Sequence, residues 1–133
     1  MNMHKKTIAL ILESTEENEV FGRISFGDNL LVDSASTIEL LEAKMKKLLF
    51  KFHGLKPNDI SFDIQYDITG LFDHKNYLNA SVVADIAGIS RGLMRQYIAG
   101  IKYPSTERTL TIQKAVREIG KELQKIKVVE TRR

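Results

Sequence analysis

The chain has 133 residues, room for one ordinary domain or two small ones, and its 43% hydrophobic and 28% charged residues are the balance of a globular protein. It has no Cys, which excludes disulfide frameworks and thiolate metal sites, and no run of ~20 apolar residues that would cross a bilayer. The net charge of +3 divides unevenly, because residues 79–133 hold eleven Lys and Arg against five Asp and Glu, while residues 1–78 hold nine against twelve. A net of +6 in the C-terminal part suits a phosphate backbone, and a net of −3 in the N-terminal part suits a neutral or basic partner.

His4, Lys5 and Lys6 precede an apolar run over residues 7–12, but the run is short and Glu13 follows without a cleavage-like segment, so a cytoplasmic protein is expected. Residues 7–13 (TIALILE) are aliphatic and β-branched with apolar side chains on both faces, which predicts an interior strand. Residues 20–26 alternate, with Val20, Ile24 and Phe26 on one face and Phe21, Arg23 and Ser25 on the other. After a turn at Gly27 and Asp28, residues 29–33 read as a third strand and close an antiparallel meander.

A helix follows. Ser36 with Glu39 matches a capping box, and Ile38, Leu41, Met45, Leu48 and Phe52 recur as a core stripe. Glu42 and Lys46 are spaced to pair across one turn, and Gly54 with Pro57 marks the stop. Residues 61–69 alternate again, with Phe62, Ile64, Tyr66 and Ile68 inward and Asp63, Gln65 and Asp67 outward, predicting a fourth strand with an acidic face. Residues 71–79 connect to a second domain. The expected division is 1–76 and 77–133.

Residues 80–100 (ASVVADIAGISRGLMRQYIAG) read as two short helices around a glycine turn, with Ala84, Gly88, Ile89, Met94 and Tyr97 where a DNA-binding helix-turn-helix needs them. Ala84 permits close helix crossing, Gly88 ends the first helix in a left-handed turn, Ile89 fills the joint and Ser90 caps the second helix. Arg91, Gly92, Arg95, Gln96 and Ala99 then share the outward face. Gly92 costs about 1 kcal/mol in a helix relative to Ala, a cost that close approach of the helix to DNA explains. Pro104 and Ser105 introduce a last helix over residues 106–127, with Ile112, Val116, Ile119, Leu123 and Ile126 on one stripe that completes the helical core and can meet another subunit.

A β-β-β-α-β order followed by GISRGLMRQYIAGIKYPS and IQKAVREIGKEL resembles the HicB family of antitoxins, in the form that carries a C-terminal Cro-like helix-turn-helix. The likeness covers nearly the whole chain and is strongest over residues 90–123. It implies an α+β fold, with a partial RNase H-like N-terminal domain that blocks a HicA-like ribonuclease toxin. It also implies a DNA-binding part that represses the operon encoding both proteins. Carried onto this chain, the resemblance puts Ser90, Arg91, Arg95 and Gln96 at groove-facing positions and Lys102 in the backbone-contacting turn. Two departures are visible: the family's Pro-Gly-Cys signature between the second and third strands is absent at Phe26 to Leu30, and the helix start reads Ser36, Thr37, Ile38, Glu39.

The expected function is therefore a non-enzymatic antitoxin and autorepressor, with an orphan transcriptional regulator as the alternative. Its expected partners are double-stranded operator DNA, a HicA-like toxin and a second copy of the chain in a homodimer or higher even oligomer, with no membrane, cofactor or metal. Dimerisation follows from reach, since one recognition helix covers only a few base pairs. Arg91, Arg95 and Gln96 are expected at base edges and Ser90, Lys102 and Arg108 at the backbone, while Asp63, Gln65 and Asp67 form either a solvated sheet face or a site for a basic protein partner. Active RNase H-like folds hold metal ions with several carboxylates, and the spacing of Asp63, Asp67 and Glu13 does not supply such a set. His4, His53 and His74 lack partners at ligand spacing and are expected at the surface.

Overall fold

The computed structural model describes residues 5–132, which leaves the expectation for His4 outside the described residues. The protein is α+β, with one four-stranded mixed sheet and five α-helices among the described residues, and it divides into two compact units, Met1–Asn76 and Tyr77–Arg133.

In the first unit β1 (Lys6–Leu12), β2 (Val20–Phe26) and β3 (Asn29–Ala35) pair antiparallel in turn. A helix, α1 (Ile38–His53), returns the chain so that β4 (Ile60–Tyr66) lies parallel to β1, giving the order β3-β2-β1-β4. The inward positions are Ile8, Leu10 and Leu12 on β1, Val20 and Ile24 on β2, and Leu31 and Ala35 on β3. Leu41, Met45 and Leu49, four residues apart on α1, pack onto them and are fully buried. Gly22 leaves the space that Leu41 fills, since a Cβ there would stand 2.8 Å from the Leu41 side chain.

Several expectations need correction. β1 buries one face only, with Thr7 and Ala9 exposed on the other, although it does lie inside the sheet. β3 runs two residues beyond Asp33, which moves the helix start along: Thr37, not Ser36, caps α1 by accepting from Leu40 N at 3.1 Å. Phe52 is not core. The stripe continues through Leu49, which turns Phe52 outward to lie beneath the Lys51 ammonium. Glu42 and Lys46 form no ion pair among the described residues; Lys44 instead donates to Ser34 O at 2.7 Å and approaches Asp33.

The larger correction concerns the end of the fourth strand. β4 stops at Tyr66, and Asp67 caps a helix, α2 (Ile68–His74), by accepting from Gly70 N at 2.8 Å. Asp67 retains an extended backbone, so the alternation read from the sequence runs on to buried Ile68 although the ladder has ended. Gly70 lies against the backbone at the end of β1, where an added Cβ would stand 2.1 Å from Leu12 O. Neither His53 nor His74 is a bare surface residue. His53 packs edge-on against Phe26, and His74 Nε2 lies 3.1 Å from Glu13 O.

Gly70→Ala is therefore expected to destabilise the protein by about 3 kcal/mol, despite the helical preference for alanine, because the obstruction is backbone rather than a movable side chain. Urea unfolding measures it; an unchanged midpoint would show that α2 is not held against β1 in this way.

Candidate functional site

The second unit is built from α3 (Ala80–Ala87), α4 (Arg91–Ile98) and α5 (Thr106–Gln124). Each start is capped by the residue before it. Asn79 accepts from Ser81 and Val82 N, Ser90 from Leu93 N, and Ser105 from Arg108 N. Between α3 and α4 the chain turns through Gly88 at φ 72°, a conformation that costs a Cβ-bearing residue, and Ile89 N then donates to Ala84 O at 2.9 Å. Val83, Ala84, Ile89, Met94 and Tyr97 are buried together with Ile112 and Ala115 of α5. Burial of Met94 and Tyr97, three apart, fixes the rotation of α4 about its axis.

That rotation leaves Arg91, Gly92, Arg95 and Ala99 exposed on the opposite side, with Gln96 half-buried at its margin. The Arg95 side chain lies back over Gly92, whose absent Cβ would stand 3.7 Å from Arg95 Nη2. Beyond α4, Gly100 turns the chain and Gln96 O accepts from both Ile101 N and Lys102 N, at 2.9 and 3.3 Å, which ties exposed Lys102 to the end of the same helix. Arg108, in the first turn of α5, borders a hollow with Gly88, Ile89 and Ser105. The structure thus gathers Ser90, Arg91, Gly92, Arg95, Gln96 and Lys102 on one short helix and its exit. Arg108 enters from α5 beside the α3–α4 joint.

One feature of this face was not read from the sequence. Arg91 is held by Asp85 of α3, with Nε donating to Oδ1 at 3.1 Å and Nη2 to Oδ2 at 2.7 Å. These hydrogen bonds raise the arginine's pKa and lower that of the carboxylate. The only hint in the sequence is a pair of opposite charges six residues apart on either side of the turn. Arg95, Lys102 and Arg108 form no ion pair among the described residues.

The acidic trio expected to meet a protein partner is not equally open. Asp63 and Gln65 are exposed on β4 and hydrogen-bond each other at 3.0 Å. Asp67 lies past the strand, capping α2 and pairing with Arg23, which also binds Glu13 at 2.5 Å. Burial opposes the Arg23 charge, but its hydrogen bonds to Glu13 and Asp67 outweigh that and raise its pKa. Glu13 and Asp67 therefore share one guanidinium. No group of three His, Asp or Glu among the described residues is arranged to hold a metal ion. No described helix is long and apolar enough to cross a membrane.

Gly92→Ala separates stability from surface chemistry. The added methyl meets only ordinary contact, so stability is expected to rise by about 1 kcal/mol in thermal or urea unfolding. Affinity for a nucleic-acid duplex is expected to fall, because the methyl lies on the exposed basic face. A gain in stability with unchanged binding would mean that this side of α4 does not approach DNA. Comparison with protein-family models, curated proteins and solved structures gave no match for the chain.

Proposed function

We propose that the chain is a non-enzymatic DNA-binding autorepressor and antitoxin of the HicB type. In this reading the second unit is a helix-turn-helix that places α4 in the major groove of operator DNA. The first unit, a partial RNase H-like domain, neutralises a HicA-like mRNA ribonuclease in the cytoplasm. The observation that carries the reading is the orientation of α4. A buried joint at Gly88 and Ile89 turns two arginines and a glycine outward on an 8-residue helix, with a half-buried glutamine at the margin, in a unit whose charge is strongly positive.

The β-β-β-α-β order of the first unit supports its part of the reading. Arg23 between Glu13 and Asp67 speaks against a working nuclease centre, since a resident guanidinium competes with metal binding at those carboxylates. The same ion pairs favour a second reading, an orphan transcriptional regulator, because they engage Asp67 and leave Asp63 and Gln65 as the exposed members of the acidic trio. Co-purification with the product of an adjacent reading frame for a small basic protein, and inhibition of its ribonuclease activity, distinguish the two. Activity left intact at excess of this chain would eliminate the antitoxin half.

A two-fold operator requires two copies. Val82 and Ile86 of α3 and Ile119 and Leu123 of α5 line an apolar groove of about 460 Å³, and Leu123 is 56% exposed. Its rim carries Glu118, Lys121, Glu122 and Lys125, so an antiparallel second copy can set acids over bases, the self-complementarity that an isologous contact needs. The sequence reading placed Leu123 and Ile126 on a stripe shared with the helical core; both are largely exposed, and Ile126 lies beyond the end of α5. Leu123→Glu is expected to convert the dimer to a folded monomer in analytical ultracentrifugation. A dimer that persists would place the interface elsewhere.

Lys102→Ala is expected to lower the slope of log affinity against log salt by about 1 without altering base preference, as loss of one phosphate contact does. Gln96→Ala is expected to relax preference at one base pair instead. Identical behaviour of the two variants in duplex titrations would contradict these assignments.

A further inference from the structure

Asp85 and Arg91 belong to different helices and meet across the Gly88–Ile89 joint. The contact is side-on, engaging Nε–H and one N–H of Nη2 with the two carboxylate oxygens. A guanidinium has five N–H groups in one plane, so the adjacent end-on edge still offers a parallel pair, one from Nη1 and the second from Nη2. That fork is the one that matches O6 and N7 of guanine in the major groove.

We propose that Asp85 is a positioning residue that holds Arg91 end-on for a guanine and thereby sets base preference at one position of the site. The proposal rests on the DNA-binding reading above. The pair is exposed on both sides, with side-chain exposures of 58% and 53%, so it contributes little to stability, and stability does not account for it. A carboxylate beside a DNA-facing helix also repels phosphate, which makes it a poor element for affinity alone. Its effect lies in orientation. A long, unrestrained arginine loses rotamer freedom on binding and satisfies a phosphate as readily as a base, whereas a braced one presents a fixed fork. Arg95, with no carboxylate partner among the described residues, is the internal contrast.

The test uses the full chain as wild type, Asp85→Asn, Arg91→Ala and the double variant. Each is titrated against a duplex from the chain's own upstream region, its single base-pair substitutions, and an unrelated duplex. Asp85→Asn is expected to lower the ratio of specific to unrelated affinity about tenfold, the scale of one bidentate base contact. It should flatten preference at the same base pair as Arg91→Ala, add nothing to that variant, and leave the thermal midpoint unchanged. If Asp85→Asn tightens both duplexes by one factor, or its effect persists without Arg91, the carboxylate acts by repulsion and the proposal is overturned. If it leaves the ratio unchanged, the proposal fails while the DNA-binding reading stands. If the wild type shows no preference at all, that reading fails first and takes the proposal with it.

Discussion

The buried joint at Gly88 and Ile89 governs everything the second unit can present. Gly88 lets the chain reverse in a left-handed turn, and Ile89, 5% exposed, drops into the space between the helices beside Ala84. With the joint filled, α4 cannot roll: Met94 and Tyr97 must point inward, and the arginines are carried outward by helical geometry. The polar face is thus a consequence of packing three and four residues away. A surface fixed in this way is pre-organised, and a duplex that meets it need not order the backbone that carries the contacts.

The first unit depends on a comparable close approach. Gly70 brings α2 against the end of β1, and this places Asp67 and Glu13 around Arg23 rather than leaving them free on the sheet. The arrangement converts carboxylates that resemble a catalytic or docking set in the sequence into an ion-paired cluster of partly exposed side chains. Of the three residues expected at a partner, Asp63 and Gln65 on the edge strand β4 remain exposed.

Features set within one helical turn were legible from residues alone. Gly54 and Gly88 end their helices at positive φ, Ser90 and Ser105 cap theirs, and the inward residues of β2 follow the pleat. Where two neighbours could serve equally, pattern did not decide: Ser36 and Thr37 are both good caps, and the length of β3 selected Thr37. Periodicity carried too far failed as well. Phe52 and Ile126 continue apolar spacings, but the first has turned away from the sheet and the second lies past the helix end. The Asp85–Arg91 and Asp67–Arg23 pairs were not legible, because each joins different elements and depends on the angle at which they meet.

The central claim is that the basic face of α4 reads duplex DNA. Its most direct test is equilibrium binding of the full chain to a duplex of its own upstream region, titrated against salt beside an unrelated duplex of equal length. The account predicts tighter binding to the upstream duplex at every salt concentration, with affinity for both falling steeply as salt rises. Equal affinity for the two duplexes, or binding insensitive to salt, would contradict it.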